Sequence, residues 1–313
     1  MAKLSKAATP VRFIDLFAGI GGFHLAMHSK AIQKIHPTEC VFVSEWDEHA
    51  RRTYEHNFKK LSPQLFAVDS KTGTQPRFAG DITQVDASTI PNFEVLLGGF
   101  PCQPFSQAGL KKGMDEARGT LFFDIIRILK EKRPEAYFLE NVRGLLNHQS
   151  GDKKTIEIIE KNLRGLGYSF ALFNVKASDY GVPQHRPRLF MIGFQNASAH
   201  ERFMANIPKA KTLKTTMSDI MGGEVNREIG FTLRVGGRHS GVNDRRNWDC
   251  YLVDGQEVVL NKEQGLAMQG FPKSYRFPPT ISETQAMKQL GNSVAVPAVE
   301  AYAKAIVEAL RGK

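Results

Sequence analysis

The sequence predicts an α/β fold built on a doubly wound, mostly parallel sheet with a second, smaller domain, and three observations carry that prediction. Five short apolar runs, VRFIDLFA, CVFVSEWD, FEVLLGGF, AYFLENV and RLFMIGF, read as buried strands. Between them lie stretches such as GTLFFDIIRILKEKRP, whose apolar residues recur at helical spacing. After Phe194 the texture changes to polar, then Gly- and Arg-rich chain with few apolar runs. Alternation of strand and helix calls for a parallel sheet, and the change of texture calls for a separate unit. The large domain is expected over residues 1–194 and 289–313, the small one over 195–272, and a hinge over 273–288. The chain closes with KQLGNSVAVPAVEAYAKAIVEALRG, whose spacing after Pro297 predicts a helix ending at Gly312 and returning to the large domain.

The first run leads into FIDLFAGIGGFHLAM, a strand, a turn with Gly19, Gly21 and Gly22, and a helix start. That layout lets backbone approach a ligand at the carboxyl end of a sheet. The full dinucleotide pattern fails, because the place of its third glycine holds His24. From this stretch alone a tight strand-to-helix turn reads equally well. The second run ends in SEWDEHA, where Glu45 can accept two hydrogen bonds from ribose hydroxyls and Trp46 can cover an adenine face. A partly buried Trp beside acids at a helix N-terminus is the plainer alternative. GDIT then sets Asp81 where it can accept from an adenine amino group, although Gly-Asp turns are commonplace. Together the three strand ends describe an adenosine-like pocket without saying which nucleotide fills it.

The third run opens into GGFPCQPFSQAG. A cysteine is most often a small buried hydrophobe, but prolines on both sides of Cys102 remove amide donors and fix an extended or turning backbone. Such a loop aims the thiol. A cysteine protease would need a histidine base, which spacing leaves open to His185 or His148, yet hydrolysis gives an adenosine pocket no role. FLENV puts Glu140 at the fourth strand end, and QHRPRLF puts Arg186 and Arg188 just before the fifth strand. In a sheet wound as expected, all of these groups meet Cys102 on one edge.

Composition narrows the field. The 313 residues hold three cysteines, Cys40, Cys102 and Cys250, with no C-x-x-C pair, so neither a disulfide scaffold nor a metal site is expected. A net charge of +10 favours a polyanionic partner. No apolar run is long enough to span a bilayer, and MAKLSKAATP lacks the apolar centre of a signal peptide, so a soluble, cytoplasmic protein without a membrane partner is expected.

The ordered set DLFAGIGG, GGFPCQPFS, ENV, QHRPRLFMIG and GNSVAVPA resembles the DNA (cytosine-5)-methyltransferase family, in the family's order and over nearly the whole chain. The resemblance implies the S-adenosylmethionine-dependent methyltransferase fold and a reaction on duplex DNA in which the Cys102 thiolate adds to carbon 6 of a flipped-out cytosine. It implies that S-adenosylmethionine donates a methyl group to carbon 5, that Glu140 holds the base at N3 and its amine, that Arg188 contacts O2, and that Arg186 helps fix the site and a phosphate. Phe17, Gly19, Gly21, Gly22, Glu45, Trp46, Asp81, Ile82, Pro101, Leu121, Asn292 and Val294 would form the cofactor pocket, while Gln103 and Ser106 would contact DNA.

The small domain would read the DNA sequence, with Thr232, Leu233, Arg234 and Arg238 in FTLRVGGRHSGVNDRRNWDCY facing it and Arg245 and Arg246 as further candidates. Over 195–260, nine Lys and Arg stand against eight Asp and Glu, so any DNA face arises from local clustering, and some arginines are expected to pair with Asp244, Asp249 and Glu228 instead. One segment departs from the family pattern. Before QGFP the chain carries Val258, Asn261, Gln264 and Ala267 where the family often has Arg, Thr, Glu and Arg, which puts the packing of the small domain in question.

An RNA (cytosine-5)-methyltransferase would share the catalytic stretches, but its Cys-Phe-Thr tripeptide is replaced here by Cys250, Tyr251 and Leu252. An NAD-binding oxidoreductase would leave Cys102 and Glu140 unexplained. A monomeric prokaryotic modification enzyme, with a restriction endonuclease acting separately, is the setting the resemblance implies.

Overall fold

The structure is a computed structural model that describes residues 8–101, 121–150 and 153–312. Its strands are β1 (Val11–Leu16), β2 (Thr38–Ser44), β3 (Phe78–Ala79), β4 (Val95–Gly99), β5 (Ala136–Val142), the two-residue pair β6 (Gln149–Ser150) and β7 (Lys153–Lys154), β8 (Ala171–Lys176), β9 (Pro187–Phe194), β10 (Cys250–Val253) and β11 (Gln256–Val259). Seven of them form one sheet in the order β3-β2-β1-β4-β5-β9-β8. The first five run parallel, and β9 runs against both β5 and β8. All five apolar runs of the sequence are strands of this sheet.

Alternation along the strands sends side chains to two separate cores. Val11 and Phe13 of β1 face one core, and Ile14 and Leu16 face the other. The first core is covered by α1 (Gly22–Met27), α2 (Lys30–Gln33) and α3 (Glu48–Phe58), with Phe23, Met27, Tyr54 and Phe58 buried in it. The second is covered by α4 (Leu121–Lys132) and α5 (Thr155–Gly165) through Phe122, Ile125, Leu129 and Leu163. Helices on both faces of a mostly parallel sheet make the fold doubly wound. Among the described residues no helix is long and apolar enough to cross a membrane.

Beyond Phe194 the chain does not leave the sheet at once. Helix α6 (Ala197–Ala205) packs on the last helix: Phe203 is fully buried against Phe194, and Arg202 Nε donates to the Ala309 carbonyl at 2.9 Å. The change of texture at 195 therefore begins with a helix belonging to the large body. The smaller unit contains α7 (Met217–Met221), the hairpin β10–β11 turned by Asp254 and Gly255, both in the left-handed region, and α8 (Lys262–Met268).

The departure from the family pattern is compensated locally. Asn261 accepts from the Gln264 amide at 2.8 Å and Gln264 returns the bond to the Asn261 amide at 2.9 Å, a complete capping box at the start of α8.

The stretch expected to act as a hinge, 273–288, is packed. Tyr275 packs edge-on to Phe58 and tilted against Phe271 and donates from its hydroxyl to the Ile20 carbonyl at 2.6 Å, and Ile281 and Met287 are buried. It leads into α9 (Glu283–Asn292) and α10 (Val296–Leu310), the latter with Pro297 in its first turn. The final helix ends at Leu310 rather than at Gly312, whose φ of +70° ends the turn beyond it.

Candidate active site

Strands β1 to β5 deliver their carboxyl ends to one edge of the sheet, and the reversed β9 brings its first residues to the same edge, since Arg188 sits opposite Val142 at the end of β5. A cavity of ≈ 740 Å³ opens there. Phe17, Gly19, Glu45, Trp46, Asp81, Ile82, Pro101, Leu121 and Asn292 all line it, together with Glu140, Arg186 and Arg188. Residues from eight segments of chain thus meet where open α/β sheets bind ligands.

One half of the cavity suits a nucleoside. Gly19 has φ +53°, and a Cβ added there would meet nothing within 4 Å, so the loop presents bare backbone to the opening. Its amide donates to Glu45 Oε2 at 2.7 Å, and Glu45 Oε1 accepts from the Asp47 amide at 2.8 Å. These bonds fix the carboxylate and leave each oxygen a further lone pair. Burial pushes the Glu45 pKa up, and the two amides work against that rise. Trp46 is 80% exposed beside it. Asp81 Oδ1 caps the turn that follows it, accepting from the Thr83 amide at 2.9 Å and hydroxyl at 2.8 Å. Oδ2 takes no part in that turn.

The other half is charged. Arg188 Nε lies 2.9 Å from Glu140 Oε1, both side chains largely buried. Burial raises the Glu140 pKa, opposed by Arg188 and then Arg186. A carboxyl held near a proton and a fixed guanidinium donor can together grip a flat heterocycle by its acceptor edge. Next to Glu140, Asn141 Nδ2 donates to the Phe100 carbonyl at 3.0 Å and so pins the end of β4 one residue before Pro101. The sequence reading passed over Asn141; its place in ENV, directly after Glu140, was the available signal.

Several expected residues have other work. Gly21 and Gly22 do not line the cavity: a Cβ on Gly21 would come within 2.3 Å of Phe58 Cε2, and one on Gly22 within 2.5 Å of Val294 Cγ2. Both permit close packing under the loop, and Val294, the partner of Gly22, lines a small inner pocket rather than the main cavity. His24, in the place of a third glycine, is fully buried, with Nδ1 2.5 Å from the Tyr54 hydroxyl and Nε2 3.2 Å from Ser62 Oγ. Burial and then neighbouring His28 push its pKa well below the usual range.

Arg186 is only 2% exposed and its guanidinium is held by three carbonyls, Leu233 at 3.2 Å, Gly291 at 2.9 Å and Ser293. Its two terminal nitrogens thus brace backbone at the cavity wall, and Nε is buried there without a partner. Leu233 is buried, Thr232 donates its hydroxyl to the His185 carbonyl, and Arg238 turns inward to Asp249 at 3.1 Å and the Leu260 carbonyl at 2.8 Å. Of the four residues expected to face DNA in this segment, only Arg234 is exposed. Arg246 pairs with Asp244 at 2.7 Å on the surface. Cys102, Gln103 and Ser106 lie outside the described residues.

The buried strand end of β1 holds one group the sequence did not single out. Asp15 is fully buried, and burial, followed by the nearby Glu45, raises its pKa well above the usual carboxylate value against the pull of the His24 backbone amide.

Comparison with known proteins gives this geometry its context. Residues 11–247 and 245–308 match the family described as C-5 cytosine-specific DNA methylase. The type II methyltransferase M.HhaI of Haemophilus parahaemolyticus is 35% identical over 98% of this chain and 98% of its own length. M.SsoII of Shigella sonnei, another type II methyltransferase, is 39% identical over 96% of this chain and 80% of its own. Among solved structures, a DNMT2 from Spodoptera frugiperda superposes with a TM-score of 0.68 at 19% identity, covering 94% of this chain and 99% of that one. A putative DNA modification methyltransferase encoded in an E. coli prophage gives 0.65 at 21%, covering 96% and 99%. The two structures establish a shared fold, and with two matched stretches spanning nearly all of the described chain, this protein belongs to the C-5 cytosine-specific DNA methylase family.

Proposed function

We propose that this chain methylates carbon 5 of a cytosine flipped out of a specific duplex DNA sequence, through a covalent bond between Cys102 and carbon 6. The observation that carries the reading is the Glu140–Arg188 pair on the cavity edge beside Pro101, the residue that leads into Cys102. Carbon 5 of cytosine is a poor nucleophile, and thiolate addition at carbon 6 makes it enamine-like. Glu140 bonds N3 and the exocyclic amine and supplies a proton at N3 as the thiolate adds, a task that its raised pKa favours. Arg188 donates to O2 while keeping Glu140 in place. A base then takes the carbon 5 proton, Glu140 takes back the N3 proton, and the Cys102 thiolate leaves carbon 6, which restores the aromatic ring.

S-adenosylmethionine fits the nucleoside half of the cavity, and when bound it supplies the methyl group. Glu45 would take the ribose hydroxyls with its remaining lone pairs, Trp46 the adenine face, Asp81 the adenine amine, and the bare backbone at Gly19 the amino acid part. Phe17, Ile82, Pro101, Leu121 and Asn292 complete the walls. Gln103, Ser106 and Arg234 are the DNA contacts in this reading. The names of the relatives support a restriction-modification setting, in which a separate endonuclease cuts the unmethylated sequence and this chain acts as a monomer in the cytoplasm.

The test is covalent trapping. Purified protein is incubated with S-adenosylmethionine and a pool of duplexes containing 5-fluorocytosine, which blocks release of the thiol, and the products are run on a denaturing gel. An adduct with wild type that is absent with Cys102→Ala is expected, and sequencing the trapped DNA identifies the site. An adduct that persists in Cys102→Ala, or one that forms with RNA and never with DNA, would sink the proposal.

A further inference from the structure

Arg186 and Gly291, both in the cavity wall, form a joint between that wall and the small unit. Arg186 stands just before β9 and reaches two distant pieces of chain: the Leu233 carbonyl in the small unit, and the Gly291 and Ser293 carbonyls at the end of α9. Asn292, which lines the cavity, lies between the last two. On the outer side Gly291 touches the small unit directly. A Cβ there would come within 2.5 Å of the Arg234 carbonyl carbon and 2.7 Å of the Val235 amide nitrogen, so the backbones at 291 and 234–235 lie flat on each other with no side chain between them. The same strip of the small unit is tied to the strand start by His185 to Gly230 at 2.8 Å and by the Thr232 hydroxyl to the His185 carbonyl. Arg234 and Val235, the exposed residues of the strip, therefore sit one backbone layer from Asn292.

We infer that Arg186 is a positioning residue that couples the two substrates: DNA engaged at Arg234 and Val235 sets the place of Asn292 and tightens the cofactor site, and the cofactor tightens DNA binding in return. The inference rests on the proposed function for the identity of both ligands. Its physical basis is stiffness. A planar guanidinium that bridges three carbonyls cannot follow one of them without moving against the others, and a glycine contact between two backbones transmits displacement without a flexible side chain to absorb it. Coupling between binding sites is reciprocal, so the factor by which DNA strengthens cofactor binding equals the factor by which the cofactor strengthens DNA binding.

The experiment measures the affinity of S-adenosylhomocysteine, which binds without turnover, in the presence and absence of a duplex carrying the trapped sequence. Arg186→Lys and Gly291→Ala perturb the joint from opposite sides, one replacing the fork by a single ammonium and the other inserting a methyl group at the backbone contact. In wild type the duplex is expected to tighten cofactor binding at least about fivefold, within the usual range for coupled sites. In both variants the ratio falls to within about twofold of unity, whatever the change in cofactor affinity without DNA. A general loss of structure would weaken both affinities and leave the ratio alone.

A wild-type ratio near unity, or an undiminished ratio in both variants, overturns the inference. If neither variant folds, hydrogen exchange of wild type decides: cofactor alone must slow exchange in residues 231–236, and no slowing overturns the coupling. Methylation by the same wild-type preparation is measured in parallel. Ligand binding with coupling but no methylated cytosine would fault the proposed function and spare the joint.

Discussion

Replacing Arg188 by methionine keeps most of the apolar stem and removes the guanidinium 2.9 Å from Glu140. With 15% and 11% of the two side chains exposed, the abandoned carboxylate has little water to solvate it, and breaking such a pair is costly. Glu140 escapes part of the penalty by taking up a proton. The electrostatic loss is therefore capped at the cost of that uptake, ~1.4 kcal/mol for each unit between the ambient pH and the ordinary glutamate value. With that ordinary value at 4.5, the cap at neutral pH is about 3.5 kcal/mol. Burial already raises the wild-type pKa against the pull of Arg188 and Arg186, and loss of Arg188 raises it further. The folded variant then binds more protons than folded wild type, so its relative stability falls as pH rises above the wild-type folded value and is unaffected below 4.5. Urea denaturation of both proteins at several pH values between about 4 and about 8 reads the difference. The loss should be near zero, apart from packing, at the acid end and should not exceed about 3.5 kcal/mol at neutrality. A loss independent of pH, or one far above the cap, refutes the view that Arg188 acts on Glu140. In turnover, removing this donor should lower kcat roughly a hundred- to a thousandfold.

Three further outcomes follow from the same structure. Asp15→Asn should stabilise the protein near neutral pH and not near pH 4: the raised pKa of Asp15 means that folding takes up a proton whose cost grows by up to ~1.4 kcal/mol per unit above the ordinary value of 3.8, and thermal melts showing no growth with pH would contradict this. Arg238→Ala strands the fully buried Asp249 and should cost ~3–5 kcal/mol in chemical denaturation, while the DNA sequence trapped at low temperature stays the same; a changed sequence would return Arg238 to the DNA face. Trp46→Ala, at an 80% exposed position, should leave stability within about 0.5 kcal/mol yet weaken S-adenosylhomocysteine binding tenfold or more by calorimetry, and undiminished binding would remove the indole from the cofactor pocket.

The chemistry of the edge was readable because strand ends carry it in short, ordered words. Phe17, Glu45, Asp81 and Glu140 each follow an apolar run, and a parallel sheet places all such ends together. Arg188 is the second residue of its strand, and it reaches the same edge because β9 is reversed, a feature that apolar runs do not encode. Strand β8 escaped notice because it is an edge strand: in ALFNVK only Ala171 and Val175 are buried, and Leu172 is exposed. The arginines were harder still. Arg186 and Arg238 look like Arg234 in sequence, and only the positions of Leu233, Gly291 and Asp249 in space show that the first two are spent on carbonyls and a buried carboxylate. The glycine turn was read as one ligand loop, yet its members divide: Gly19 opens to the cavity, and Gly21 and Gly22 make room for Phe58 and Val294.

The stitch between Tyr275 and Ile20 joins residues 255 positions apart, and it is not alone: Thr53 bonds Gln289 at 2.8 Å across 236 positions, and Asn57 bonds Arg276 at 2.8 Å across 219. The loop that presents Gly19 is thus backed by chain that must travel the whole length of the large domain before it arrives. Contacts of such span close late, since the entropy of the intervening chain is surrendered before they are formed. During refolding the sheet and its first helices can therefore be native in their hydrogen bonds while the nucleoside half of the cavity still lacks its rear wall, and recovery of cofactor binding should lag behind recovery of secondary structure.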